Sequence, residues 1–178
     1  MNKLIIFIAL LFCHFRINAE LPISIKFKNT NFELCAKERV TKLFFNIVDV
    51  GIYYPNCNKA QNIFDQDTKL LRFSYLREVT GKQFTQGAIE YLQENLSQQD
   101  KLKCFRHFES LNRTYQNVSS GDYYDLYFLK KEGIELQLNN ERLHNMNNPE
   151  CNSAYLNVWF GKETMDNQFH DLADKIKP

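Results

Sequence analysis

The chain has 178 residues, 44% of them hydrophobic and 24% charged, with six glycines and four prolines. That ordinary globular composition excludes collagen-like, low-complexity and disordered chains, and at this length one domain is expected to fold on its own core. The formal charge of +1 includes Lys3 and Arg16 and becomes −1 without them, so the overall charge gives no reason to expect nucleic acid or an anionic membrane as the main partner.

The first 19 residues read as a cleaved secretory signal: Lys3 is a positive start, Leu4 to Phe12 is apolar throughout, and Ala19 is a small residue before Glu20. An apolar run this short falls well below the roughly 20 residues a spanning helix needs, which argues against a retained anchor. Cys13 is discarded with the leader, and residues 20–178 form a single domain in an extracytoplasmic space. Cys35, Cys57, Cys104 and Cys151 then remain, an even number without any CxxC spacing. They suit two disulfides in one of three connectivities, or buried free thiols, and they do not suit zinc. The triplets at Asn95, Asn112 and Asn117 have the form of glycosylation sequons, which matter only in a eukaryotic host.

In chain order, Leu21 to Lys28 alternates apolar and polar residues as a half-buried strand does, and a second strand follows over Phe32 to Arg39. Lys42 to Tyr54 reads as a long strand antiparallel to its predecessor, stopped by Pro55. A short helix is predicted over Asn58 to Asp65 and a strand over Leu70 to Arg77. Thr80-Gly-Lys-Gln83 has the form of a capping box. Beyond it Phe84, Ala88, Tyr91, Leu92 and Leu96 recur at helical spacing. A second helix is predicted from Gln98 to Leu111, with Leu102, Phe105, Phe108 and Leu111 inward. Asp122 to Lys130 and Ile134 to Leu138 make a hairpin about Glu132-Gly133. Helical stretches over Pro149 to Val158 and Met165 to Ile176 end the chain. Strands, two helices, a hairpin and further helices predict an α+β fold with helices gathered on one face of a mainly antiparallel sheet.

Residues that carry chemistry are scarce. His107, His144 and His170 are far apart, without HxH or HExxH spacing, and there is no nucleophile elbow or glycine-rich phosphate loop. Neither a metal nor another cofactor is expected. Asp65-Gln66-Asp67 lacks the glycine and distant glutamate of a calcium loop and reads as a turn. Arg39 stands out, at the boundary of two strongly apolar strands. A guanidinium facing inward there needs a carboxylate or a ligand anion, and the plainer alternative is an exposed arginine in a turn. Tyr53, Tyr91 and Tyr127 are each more often core or surface aromatics than ligand contacts.

Arg39, Leu43-Phe-Phe45, Val50-Gly-Ile-Tyr53-Tyr-Pro55, Leu71-Arg-Phe-Ser-Tyr-Leu-Arg77, Gly121-Asp122 and Val158-Trp-Phe-Gly161, in that order and spacing, resemble the secreted bacterial branch of the chalcone isomerase-like family, over about Lys37 to Lys175. The chain departs from the family pattern at Asn139-Asn140, where a glycine is usual, and at Cys151, where an aromatic is usual. The resemblance implies an open-faced β-sandwich, a curved sheet with helices over one side and a cleft between them. It also implies a Gram-negative periplasm and a choice among isomerase, fatty-acid binder and proteins of other role.

Carried over residue by residue, the arginine that holds the attacking phenolate in the isomerases corresponds to Arg39, at a slightly shorter spacing. The threonine that polarises the ketone corresponds to Val48, where the fatty-acid binders have a tyrosine. The catalytic tyrosine corresponds to Phe84 and a substrate-contacting asparagine to Tyr91. Chalcone closure needs donors at the developing oxyanion, and Val48 and Phe84 supply none. The resemblance therefore implies a non-catalytic protein that binds a fatty acid or other small lipophilic anion, with Arg39, Val48, Phe84 and Tyr91 around it. The alternative is an envelope scaffold or partner-binding module whose cleft is filled by Phe84, Tyr91 and Phe105, and an isomerase-type enzyme comes after both.

Overall fold

The computed structural model describes residues 20–176, so the expected leader over residues 1–19 lies outside the described residues. Seven strands form one antiparallel sheet in which sequence order is spatial order: β1 (Ser24–Phe27), β2 (Thr30–Lys42), β3 (Phe45–Tyr54), β4 (Lys69–Tyr75), β5 (Tyr123–Leu129), β6 (Gly133–Leu138) and β7 (Glu141–Met146). Between the neighbours β4 and β5 the chain leaves the sheet to form α1 (Gly81–Asn95) and α2 (Gln98–Asn112), and after β7 it adds α3 (Asn152–Tyr155), α4 (Asn157–Phe160) and α5 (Gln168–Asp174). The sheet is a curved half-barrel with these helices packed on one face, the α+β arrangement expected from the element order and the curved, open-faced sheet that the resemblance implies.

The strand alternation sorts the two faces. Val48, Val50, Ile52, Leu71, Phe73, Leu126 and Leu136 point to the helices and join Leu92, Phe108, Trp159 and Leu172 in the main core. Each such side chain contributes on the order of 1.5–3 kcal/mol by leaving water. The opposite face carries a second, smaller cluster of Phe32, Tyr53, Leu70, Tyr127 and Leu129. Three strands separate β1 from β5 within the sheet. Phe27 of β1 nevertheless stacks on Tyr127 of β5 with ring centroids 3.8 Å apart. The β1–β2 hairpin therefore curls back across the outer face, past the register shift between Leu34 and Ala36. Beside this cluster the buried Asp125 accepts from Arg72 at 2.6 and 2.5 Å and from the Tyr127 hydroxyl at 3.2 Å, so its charge is paired and hydrogen-bonded.

Helix α1 starts where the capping box predicts: the Thr80 hydroxyl accepts from the Gln83 amide at 3.3 Å and the Gln83 side chain accepts from the Thr80 amide at 2.9 Å. The cysteines form two disulfides, Cys35–Cys57 and Cys104–Cys151. The first ties β2 to the turn after β3. The second joins α2 to the single helical turn at Pro149–Cys151, within the helical layer.

Several sequence expectations are corrected. The β2–β3 turn falls at Leu43 and Phe44 rather than just after Arg39, because no glycine, asparagine or proline marks it. The segment Asn58 to Asp65 holds only a 3-10 turn at Cys57–Lys59, followed by side-chain-capped bends. Leu102 is 81% exposed, since the α2 stripe that faces inward runs through Cys104, Phe108 and Leu111. Strand β7 has no counterpart in the sequence reading: Leu143 and Met146 are its apolar positions, and a register shift opposite Leu136 and Gln137 breaks the period-two pattern. At its head, Asn139 and Asn140 turn the chain with φ of 50° and 70°, a left-handed conformation that asparagine tolerates better than most residues.

Candidate functional site

A cavity of about 390 Å³ lies between the helix-facing side of β2–β5 and helices α1, α4 and α5. Val48, Phe73, Tyr75 and Leu126 form its sheet wall, and Phe84, Ala88, Trp159 and Phe169 its helical wall. The lining is mainly apolar; charged groups occur at its edge, from Lys42 at the end of β2, Arg77 and Glu78 after β4, and Asp166 before α5. Phe84 stands at the head of an aromatic group, packed on Tyr75, Tyr115 and Tyr124 with ring centroids 5.4–5.5 Å away.

Three tyrosines line this space, and their hydroxyls differ in occupation. Tyr124 donates to the carbonyl of Gln116 at 2.9 Å and accepts from its amide at 2.7 Å. Tyr115 shares a hydrogen bond with Tyr155 at 3.3 Å, and Tyr155 donates to Asn112 at 2.6 Å. No hydrogen bond is found for the Tyr75 hydroxyl among the described residues, and it is not one of the two buried side-chain atoms without a partner, Asn112 Nδ2 and Asn152 Oδ1, so it opens to the cavity it lines. Burial pushes the Tyr75 phenol well above its ordinary range and that of Tyr124 up to about 12, so both stay protonated at neutral pH. Tyr75 is thus an uncommitted donor in an apolar chamber. Arg77, at the edge, sits over the Phe45 ring at 4.2 Å and pairs with no carboxylate among the described residues.

Of the residues marked by the sequence, Val48 and Phe84 line the cavity and Arg39 and Tyr91 do not. Arg39 lies within β2 on the outer face, where its guanidinium donates to both oxygens of Asp49, its cross-strand partner, at 2.6 and 2.8 Å. That bond is the main reason its pKa rises above the ordinary arginine value. Strand alternation decides this: Val40 and Val48 take the inward positions, so their neighbours Arg39 and Asp49 must face out. Arg39 borders a separate depression of about 550 Å³ with Glu20, Lys37, Glu38 and Asp49. Arg39 and Glu38 already meet partners there, Asp49 and Lys175, and the walls mix these charges with Leu21 and Leu76. Tyr91 lies one turn beyond Gly87 on α1, past the end of the lining. Sequence reading passed over Tyr75 and Arg77, although both lie in the quoted segment Leu71–Arg77. The period-two pattern that turns Phe73 inward also turns Tyr75 inward.

The sequence matches the family described as chalcone isomerase-like over residues 17–172, and the chain belongs to that family. The crystal structure of a fatty-acid-binding protein of Arabidopsis thaliana has the same fold: the two superpose with a TM-score of 0.59 at 14% identity, covering 88% of this chain and 92% of that one. No curated protein sequence matches.

Proposed function

We propose that this protein is a non-catalytic carrier or sensor that holds a small lipophilic molecule with one polar end, a fatty acid being the best fit, in the cavity between sheet and helices. The observation that carries the reading is the combination of an apolar chamber of about 390 Å³ with the Tyr75 hydroxyl opening into it and, at its edge, the Arg77 cation, which pairs with no carboxylate among the described residues. An apolar enclosure with a few placed polar groups is the general form of a lipophilic-ligand site. The protonated Tyr75 and the guanidinium of Arg77 supply hydrogen bonds to a carboxylate, the stronger kind because the acceptor is charged. The family's isomerase positions are Val48 and Phe84, neither of which can stabilise an oxyanion, and this favours binding over chalcone closure. The likeness to a protein titled fatty-acid binding supports the same direction. Two disulfides and the leader read at the N-terminus support an oxidising extracytoplasmic location, the periplasm if the host is Gram-negative.

The test is calorimetric titration with a long-chain fatty acid, compared with Gly87→Leu. Gly87 lies on α1 facing the cavity, with only Met165 near the position of an added Cβ. Leucine there raises helix propensity while occupying ligand space. Saturable binding by the parent chain and its loss in Gly87→Leu, with the circular dichroism spectrum unchanged, is the expected result. Equal binding by both would remove the ligand from this cavity.

A further inference from the structure

Six large apolar side chains are exposed among the described residues, and four of them, Leu43, Phe44, Phe45 and Met165, belong to the segments that border the cavity. Leu43, Phe44 and Phe45 follow one another at the apex of the β2–β3 hairpin, 78%, 104% and 51% exposed. The apex is costly in itself. Leu43 and Phe44 have φ of 48° and 68°, a conformation that asparagine adopts at Asn139 and Asn140 in this same chain and that branched or bulky residues resist. Neither local turn chemistry nor burial in this chain accounts for bulky apolar residues there.

The surroundings identify the occupant. Lys42 precedes the apex and Arg77 lies against Phe45, so two cations stand next to the apolar tip, on a cavity edge that also carries Glu78 and Asp166. A convex tip of three side chains offers far less than the roughly 800 Å² per partner that a stable protein interface buries. An apolar finger with aromatic and basic flanks is the form that enters the headgroup–acyl boundary of a bilayer. We infer that the Leu43–Phe45 apex docks on a lipid bilayer surface and brings the adjacent cavity edge, with Lys42 and Arg77, to the level of the headgroups, so that the ligand passes between membrane and cavity without crossing water. The inference rests on the lipophilic-ligand reading for what is transferred, while the docking itself is separately testable.

The experiment is co-sedimentation of the protein with vesicles of phosphatidylcholine, alone or mixed with phosphatidylglycerol, using the double variant Leu43→Asn/Phe44→Asn. This variant installs the pair already used at Asn139-Asn140, which suits the turn and preserves the fold. The parent chain is expected to partition onto both vesicles, more onto the anionic ones, and the variant to partition at least about tenfold less. A fluorescent fatty acid titrated in the absence of vesicles should bind both proteins equally, while its transfer to vesicles should accelerate with vesicle concentration only for the parent. Absence of vesicle binding by a parent that still binds the fatty acid would overturn the docking inference and leave the cavity reading intact. Vesicle binding by a parent that takes up no fatty acid would keep the docking and overturn the cavity reading. A lipid-independent dimer that the double variant dissociates would assign the apex to a second copy of the chain and overturn the membrane role.

Discussion

Tyr75 ends β4 and Arg77 follows it by two residues, one inside the cavity and one at its edge, and they make separable contributions. A hydrogen bond to a charged acceptor contributes about 1.5–3 kcal/mol. Tyr75→Phe and Arg77→Gln are therefore each expected to weaken fatty-acid binding about tenfold or more in calorimetry. Arg39→Ala should leave it unchanged, because that guanidinium faces the other side of the sheet and is held by Asp49. A second residue-scale prediction concerns Lys69, 1% exposed, which donates to Asp65 at 2.6 Å and to the carbonyls of Ile63 and Asp65 at 2.7 Å. Burial raises the Asp65 pKa, but the hydrogen bond and charge of Lys69, with two backbone amides, outweigh it and hold the carboxyl below the ordinary value. A carboxylate depressed in the folded state stabilises above its unfolded pKa of about 3.9 and loses that contribution as pH falls toward the folded value. Asp65→Asn should therefore lower stability at neutral pH and flatten its decline below about pH 4, measured by urea denaturation across that range.

At the scale of elements, the local signals that were explicit in the sequence are the ones the structure uses. The capping box at Thr80-Gln83 sets the start of α1, which carries the helical wall of the cavity. Thr80→Ala is expected to cost about 1 kcal/mol in denaturant unfolding. The Glu132-Gly133 reversal is equally explicit. Gly133 has φ of 98°, and a Cβ there would collide with the carbonyl of Met146 across the β6–β7 pair. Gly133→Ala is therefore expected to destabilise by more than the roughly 1 kcal/mol of a simple glycine replacement in a strand, by the same assay. Elements without such signals were misread. The β2–β3 turn hides inside an apolar run, β7 has only two apolar positions, and the loop before β4 is organised by Asn62 and Asp65 bonding nearby amides rather than by helical periodicity.

Across the whole molecule, one disulfide reinforces a strand pair of the sheet and the other joins helical segments that the sheet alone does not hold together. Cys104–Cys151 links α2 to the start of the C-terminal helices over a separation of 47 residues, and Cys35–Cys57 closes 22 residues at the bend of β2. Loop-closure entropy gives each about 3–4 kcal/mol. Cys104→Ser/Cys151→Ser should lower the guanidinium midpoint accordingly. It should also weaken ligand binding more than the corresponding Cys35/Cys57 variant, because the helical layer is the cavity's wall. The curl of β1–β2 over the outer face has a similar global character: Phe27 meets Tyr127 only because the sheet bends back on itself.

What the sequence by itself determined is the part encoded by short-range pattern. Period-two and helical alternation define most strands and both long helices, an even cysteine count permits two bridges, and ordered motifs identify the family. The resemblance by itself also implies apolar residues, Val48 and Phe84, where the isomerases carry hydrogen-bonding groups, since such a comparison needs only the motif. The tertiary structure alone decided the cysteine pairing, the outward direction of Arg39, and the meeting of Tyr75, Phe84 and Trp159 around one space. It did so because whether a side chain meets a ligand depends on which face of a curved sheet it occupies. A shift of one residue in the β2–β3 register reverses that face without changing the composition of either strand.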